Sequence, residues 1–512
     1  MARKFQDSVI ARHDPLFKEK MLAHIKSRLV LLESGIVMKN ADQMAEQLFR
    51  MHDYLPNPVF DKNSGIFDYK AKIDIFVKAF AEDGITHDIY AAACVRTPNN
   101  LGRAPETLVK NVHEMAELLH PYGVKRGAYL QAAMVQPSLL YQSPDSMMDK
   151  VCKLVDSLSE HGLSHKKYLA SCMRNPQLFY QLPETVASNV TSVAHDFEND
   201  GFTTSQYIQA CLRQPQLFSQ SPQTIVQNIR GMLNRFVEHG LHPESYLKAA
   251  VKQPQLFQQL PETLAANIHE MVAKFADHGL TLERYIAVGT KQPQLFYQSA
   301  DTLYNNIHAF ADVFADENVA PCDVLEACLR QPPLFSQRAD TINANVNGFV
   351  DMFRDYGMDR PTYVSACLVQ PALFCQSPET VGRHMRYMLA MVDMGILPSA
   401  NKNSENQKNH AYADLFNCIM KRPLVLSLAD DNFILRMDYA LRKQNPKQHA
   451  GNCTGDGKPL RGFSLLTQTK GQIEALYRKN CGQEFVLDDV QPQLKKALQQ
   501  KDLWPQDLPA SP

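Results

Sequence analysis

The sequence lacks the patterns that mark membrane proteins and several large classes of enzyme. None of its apolar runs approaches the length needed to cross a bilayer. It has no Cys-x-x-Cys pair, no His-Glu-x-x-His signature of zinc proteases and no Gly-x-Ser-x-Gly turn of serine hydrolases. Gly457-Lys458 resembles a phosphate-binding loop, but Pro459 stands where such a loop needs Ser or Thr. We therefore expect no enzymatic activity, no metal site, no cofactor and no small-molecule substrate.

What the sequence does contain is a repeat of constant length. Eight prolines recur at a constant interval of thirty-nine positions: Pro98, Pro137, Pro176, Pro215, Pro254, Pro293, Pro332 and Pro371. A fixed period of this length is typical of solenoids, in which each repeat buries its apolar face only against its neighbours. The sequence predicts an all-α solenoid, a superhelix of about nine repeats with helical caps.

Each repeat reads as a long helix, a short helix and a single turn. A serine such as Ser221, followed by proline, is typical of a helix start, and apolar residues from Ile225 onward form one helix face. A glycine such as Gly240 ends that helix. The short helix carries a tyrosine, here Tyr246, and ends at the repeat proline. The Pro-x-Leu-Phe that follows, ending here at Phe257, predicts a brief 3₁₀ turn and a buried phenylalanine.

The segments outside the regular repeats suggest four regions. Residues 1–50 are predicted to form an N-terminal helical cap. Residues 51–397 are predicted to form the array, which begins with a degenerate repeat at Pro58. Residues 398–450 predict a polar insertion, at 398–410, and a last repeat around Pro423 with about thirteen extra residues. Residues 451–512 predict a loop at 451–462, a C-terminal helical extension and a frayed tail.

The cysteines indicate a reducing compartment. Cys172, Cys211, Cys328 and Cys367 share one repeat position, where other repeats have Ala133, Ala250 or Gly289. A position that accepts Ala, Gly or Cys requires small volume in a helix contact, so these thiols are predicted to be buried and free. Residues 1–12 lack the apolar segment of a secretory signal. We expect the cytoplasm or another reducing compartment.

Two polar residues recur in nearly every repeat. Counting from the repeat proline as zero, position 13 is asparagine in six repeats: Asn111, Asn189, Asn228, Asn267, Asn306 and Asn345. Position 5 is glutamine in seven, Gln142 among them. Because identical residues cannot encode a varying target, we predict that they satisfy backbone groups of loops and neighbouring repeats.

The pattern helix, Gly, helix, basic-Gln-Pro-x-Leu-Phe, with asparagine in the long helix, resembles the mitochondrial transcription termination factor family. The resemblance extends from about Pro58 to Leu441. It implies repeats of two helices and a 3₁₀ turn, and nucleic acid bound along a superhelical groove. Octotricopeptide-like RNA-binding repeats have units of similar length and are a second candidate.

A basic residue stands two positions before the repeat proline in six of the eight repeats. These repeat cations are Arg96, Arg174, Arg213, Lys252, Lys291 and Arg330. Stacked repeats would align them along one edge, as a series of phosphate contacts. Alternatively, each cation interacts with the C-terminus of the short helix, which carries partial negative charge.

Sequence variation concentrates at positions 12, 15, 16 and 19, which form one stripe of the long helix opposite its apolar face. We call this the variable stripe and take as its candidate contacts His113, Thr191, Arg230, His269, His308, Asn347 and Arg386. A reader of one base per repeat would vary in this way. So would any solvent-facing stripe.

The charge distribution leaves two functions open. The net charge is −1, but the region between residues 50 and 401 carries 28 Lys/Arg against 36 Asp/Glu. The sequence favours a modular binder of RNA or DNA, with the target in the concave groove. The acidic array favours the alternative, a protein-interaction scaffold on the same solenoid. In either case we expect a monomer that does not contact membranes.

Overall fold

The computed structural model describes residues 15–30, 32, 35–52, 68–394, 396, 416, 419–420, 422–444, 468–481 and 484–504. All regular elements in these ranges are helical, and the prediction of an all-α fold is confirmed. The chain divides into two compact units, Met1–Pro261 and Glu262–Pro512, which are described separately.

The first unit begins with two packed helices and continues with alternating long and short ones. Its α-helices are α1 (Pro15–Val30), α2 (Gly35–His52), α3 (Tyr69–Phe80), α4 (His87–Arg96), α5 (Asn99–Gly102), α6 (Pro105–Leu119), α7 (Arg126–Val135), α8 (Pro144–Leu158), α9 (His165–Arg174), α10 (Pro183–Asp196), α11 (Thr204–Arg213), α12 (Pro222–Phe236) and α13 (Pro243–Lys252). Its 3₁₀ helices are Ala81–Asp83, His120–Tyr122, Pro137–Tyr141, Ser159–His161, Pro176–Tyr180, Glu198–Asp200, Pro215–Ser219, Val237–His239 and Pro254–Phe257.

The second unit repeats this alternation and adds C-terminal helices. Its α-helices are α14 (Pro261–Lys274, whose first residue ends the first unit), α15 (Leu282–Gly289), α16 (Ala300–Val313), α17 (Pro321–Arg330), α18 (Ala339–Phe353), α19 (Arg360–Val369), α20 (Ala372–Cys375), α21 (Pro378–Asp393), α22 (Asp430–Gln444), α23 (Lys470–Cys481) and α24 (Pro492–Gln500). Its 3₁₀ helices are Ala276–His278, Pro293–Phe296, Ala315–Glu317, Pro332–Ser336, Arg354–Tyr356, Pro423–Ser427 and Leu487–Asp489.

The turns within a repeat differ from the sequence prediction in detail. Between the long helix and its terminal glycine lies a 3₁₀ turn that the sequence reading missed, and Gly240 after it has φ 84°. Asn318 takes the same left-handed conformation where one repeat has no glycine. After Pro98 and Pro371 the turn is α-helical rather than 3₁₀. The hydroxyl of Ser221 donates to Gln223 and does not cap its helix.

The repeat phenylalanines and tyrosines form the core of each unit. Phe257 is fully buried, and the ring of Tyr207 meets it edge-on at 5.4 Å between centroids. In the neighbouring repeat Tyr168 meets Phe218 in the same way at 5.3 Å. The Tyr168 hydroxyl also donates to the carbonyl of Leu178. The prediction that these phenylalanines are buried between repeats is confirmed.

Four of the six asparagines at position 13 connect their long helix to the turn of the next repeat. The Nδ2 atoms of Asn111, Asn228, Asn306 and Asn345 donate to carbonyls 29 residues on, those of Leu140, Phe257, Phe335 and Phe374. Lys72 Nζ donates in the same way to the Leu101 carbonyl, at 2.6 Å. The polar ladder predicted from the asparagines is thus present at these junctions.

The last repeat is linked by the same position. His384 stands at position 13 counted from Pro371, and its Nδ1 bonds the carbonyl of Leu426, 42 residues on. The corresponding asparagines bond carbonyls 29 residues on. The difference of thirteen equals the insertion expected before Pro423. Beyond this repeat the buried Asp438 carboxylate accepts hydrogen bonds from Tyr477 and the Gln491 amide, so α22 contacts α23 and the start of α24.

The small residues four positions before the repeat proline are all buried. Cys172, Cys211, Cys328 and Cys367 are at most 1% exposed and are free thiols. At Gly289 an added Cβ would lie 2.4 Å from the Phe296 ring, so this junction has no room for a side chain. Burial holds the pKa of the Cys211 thiol well above its usual value. These cysteines are packing residues, as predicted.

Some predicted features lie outside the described residues. These are Pro58 and its opening turn, the polar segment 398–410, the loop 451–462 with Gly457-Lys458, and the final tail after residue 504. The boundaries drawn through them, and the number of about nine repeats, stay predictions.

Candidate nucleic-acid interface

The repeat cations that are arginines bind the backbone of the next repeat. Arg213, at the end of α11, donates from Nη1 to the carbonyls of Val251 and Lys252, at 2.8 and 3.2 Å. Arg174, at the end of α9, donates to the carbonyls of Leu212 and Arg213. These carbonyls belong to the last turn of the neighbouring short helix, where no intrahelical donor remains for them.

The same contact occurs at both ends of the series. In the first unit Arg96 donates to the carbonyl of Met134. In the second unit Arg330 donates to the carbonyls of Leu368 and Val369, at 2.6 and 3.0 Å. The arginines therefore interact with the C-terminus of a short helix, as the alternative interpretation expects. The helix that they contact is the one in the next repeat and not their own.

The two lysines of the series behave differently. Lys252 and Lys291 are exposed, and within the described part of the chain their ammonium groups make no hydrogen bond or ion pair. Val135 and Val369, exposed at 66% and 59%, occupy this position in the two repeats without a cation. The series thus contains four arginines with backbone partners and two lysines that face solvent.

Several residues of the variable stripe pack against an aromatic ring 33 residues earlier in the chain, which is position 21 of the preceding repeat wherever the thirty-nine-residue period holds. His113 lies 5.4 Å from Phe80, and His308 lies 6.2 Å from Phe275, measured between ring centroids. The Arg230 guanidinium lies 5.8 Å from the Phe197 ring. Arg230 also pairs with Asp196 at 2.8 Å. Position 15 is therefore a contact between successive long helices at these junctions.

Of the remaining stripe residues, two form hydrogen bonds within their own helix and two have exposed side chains. Thr191 Oγ1 donates to the Ala187 carbonyl at 3.0 Å, and Asn347 Nδ2 donates to the Asn343 side chain at 3.3 Å. His269 and Arg386 are exposed. The stripe lies on the long helices, whereas the repeat cations lie at the ends of the short helices.

The sequence contains a signal for this packing that variability at single positions does not show. Where position 21 is Leu119 or Leu158 instead of phenylalanine, position 15 of the next repeat is the small Cys152 or Thr191. In the described repeats, a large or cationic residue at position 15 occurs where the preceding repeat has an aromatic ring. That ring is its cation–π or stacking partner in the contacts given above. Part of the variation is therefore explained by packing between repeats.

The repeat geometry agrees with a known protein family. The mTERF model matches residues 65–315 and 117–396, about two thirds of the chain. The chain belongs to the mTERF family. Members of the mTERF family are generally helical-repeat proteins that bind nucleic acid without catalysing a reaction. Comparison with curated proteins gives no match.

The histidines and acidic residues of this mTERF chain are dispersed among its described repeats. In the described ranges, no group of three or more His, Cys, Asp or Glu side chains is arranged to hold a metal ion. His161, His239 and His278 each end a 3₁₀ turn directly before a left-handed glycine. Among the described helices of the mTERF chain, none combines the length and the apolar character of a membrane span.

Proposed function

We propose that the chain binds RNA or DNA, with the repeat cations on phosphates and the variable stripe towards bases. Membership of the mTERF family is the observation that carries this proposal. The array bears no net positive charge. Binding therefore depends on where its cations lie rather than on its overall charge.

The contacts of Arg174 and Arg213 support a phosphate-binding role. The C-terminal carbonyls of a short helix carry a partial negative charge, which would repel a phosphate. Each arginine adds a full positive charge beside those carbonyls, and both side chains stay exposed. Because the carbonyls already hold the guanidinium groups, little side-chain entropy is lost when a phosphate binds.

The lysines allow a test that does not disturb folding. We expect Lys252→Met and Lys291→Met each to reduce the slope of log affinity against log salt by about one. The melting temperature should not change, since neither ammonium group has a partner among the described residues. Affinity is measured by fluorescence anisotropy with RNA and DNA oligonucleotides over a salt series.

Lys248→Met is the matched control. Lys248 lies on the same helix as Lys252 but is not a repeat cation, and it pairs with Glu244 at 2.6 Å. Its removal should leave the salt slope unchanged. If Lys252→Met and Lys291→Met behaved like Lys248→Met, the phosphate role of the repeat cations would be wrong.

A protein-binding scaffold is the second candidate, and one observation favours it. Leu182 and Leu260 are each 60% exposed at the position before the long helix that four other repeats fill with serine. Exposed apolar residues on an acidic surface are typical of contacts with protein. If the chain bound neither RNA nor DNA at low salt, while Leu182→Ser and Leu260→Ser weakened the capture of a protein partner, the scaffold would replace the first proposal.

A further inference from the structure

The first unit contains a cleft of about 760 Å³ between two successive repeats. One wall is α10, with Thr191, Ser192 and His195. The other walls are the N-terminal turn of α11, with Thr204, and the end of the preceding repeat, with His161. All lining residues belong to the first unit, at a junction that the structure describes without interruption.

The cleft coincides with a small residue in the variable stripe. One repeat further along, Arg230 extends over the Phe197 ring and pairs with Asp196. At the cleft, the short Thr191 stands where the next repeat has Arg230, and Leu158 stands where it has the Phe197 ring. The Thr191 hydroxyl bonds back to its own helix and does not extend across the gap. The space that a larger residue would fill therefore stays open.

Three polar groups of the cleft have no partner among the described residues. Thr191, Ser205 and His195 use their side chains in hydrogen bonds or ion pairs within the protein. In contrast, the His161 ring and the hydroxyls of Ser192 and Thr204, all half-buried, bond to no residue in the described part of the chain. Half-buried donors and acceptors in one cleft are available to a ligand.

The chemistry of the lining favours a flat, uncharged ligand. Ala194 and Phe202, both buried, contribute apolar surface to the lining. Glu198, at 3.2 Å from His195, also lines the cleft and would repel a phosphate. Apolar surface beside neutral hydrogen-bonding groups matches a nucleobase, whose face is apolar and whose edge carries donors and acceptors.

We propose that this cleft binds one unpaired base of a single-stranded nucleic acid. The proposal rests on the nucleic-acid binding proposed above and specifies the strand state of the target. A base within a duplex is stacked and paired, so its entry into the cleft costs about a few kcal/mol of unstacking and unpairing. A base of a single strand can turn outward at little cost. Single strands should therefore bind more tightly than duplexes of the same sequence.

The test combines a mapped oligonucleotide with a variant that places arginine at position 191, the residue type that the next repeat has at the same position. An oligonucleotide selected from random single-stranded RNA and DNA pools by the unchanged protein is resynthesised with an abasic site at each position in turn. We expect one position at which the loss of the base weakens binding about tenfold. Thr191→Arg should lower affinity for the intact strand by a similar factor and should no longer respond to the abasic site at that position. The variant should fold, because Arg230 is tolerated at the same repeat position.

Two further variants separate filling from charge and from hydrogen bonding. Gln209→Arg places the same charge on α11 outside the cleft lining and should not weaken binding. The double change Ser192→Ala and Thr204→Ala keeps the cleft open, and it should reduce the effect of the abasic site without abolishing it.

The outcomes distinguish the two proposals. If the unchanged protein binds no nucleic acid, the proposed function fails and the cleft proposal fails with it. If it binds, but no abasic position matters or Thr191→Arg still responds to that position, only the cleft proposal is wrong.

Discussion

The side-chain amide of Asn228 donates a hydrogen bond of 3.0 Å to the backbone carbonyl of Phe257. Asn228 is only 5% exposed, so little water can replace the amide. Asn228→Ala should therefore destabilise the protein by about 1–3 kcal/mol, the usual penalty for leaving a buried acceptor unpaired. Chemical denaturation followed by circular dichroism measures this.

Asn189 is the matched control for that change. It occupies the same repeat position one repeat earlier, but it is half-buried and forms no hydrogen bond to the residues that the structure describes. Asn189→Ala should cost less than Asn228→Ala. Equal losses would indicate that the asparagines act through helix packing and not through the hydrogen bond.

Phe257→Ala tests how the core is distributed. Phe257 is fully buried and contacts the Tyr207 ring, so truncation should cost about 3–5 kcal/mol. Because each repeat is stabilised mainly by its neighbours, the damage should be local. Hydrogen exchange should increase first around Pro254. A uniform increase over the first unit would contradict stacking of separate repeats.

Arg330 and Lys291 should differ in their contribution to stability. Arg330 holds the carbonyls of Leu368 and Val369, so Arg330→Met should cost about 1 kcal/mol at this exposed site. Lys291→Met should cost almost nothing. Thermal melting of both variants checks this prediction. A loss for Lys291→Met as large as that for Arg330→Met would show that charge alone matters at this position.

Lys72 should make stability depend on pH. Burial lowers the pKa of Lys72 to about 8, although Glu106 and Asp68 partly oppose the shift. An unfolded lysine keeps its proton to about pH 10.4. Between these values the folded state binds fewer protons than the unfolded state, so the stability contributed by this group rises with pH. The melting temperature relative to Lys72→Met should increase from pH 7 to 10.

Lys78→Met on the same helix is the control for Lys72. Lys78 is exposed, so its removal should shift the melting temperature by a constant amount over this range. If the difference between the unchanged protein and Lys72→Met stayed constant with pH, the Lys72 ammonium group would not occupy its half-buried position at the Leu101 carbonyl.

The sequence alone was sufficient for the repeat architecture because its signals are local. Proline two residues after a basic residue, serine before the long helix and glycine after it act on backbone that lies within a few residues of them. The burial of Phe257 and of the thiols such as Cys211 also followed from recurrence, since a stacked repeat has few other places to bury them.

The candidate interface depended on contacts between repeats, which only the tertiary structure decided. Variability at position 15 predicts exposure, but Arg230 meets the Phe197 ring of the preceding repeat. Arg213 likewise reaches carbonyls 38 and 39 residues later. The open gap beside Thr191 likewise follows from how one long helix, the start of the following short helix and the turn at His161 lie against each other. A constant repeat length determines which elements recur, but not the distance or rotation between stacked helices, and those determine which polar groups remain available to a ligand.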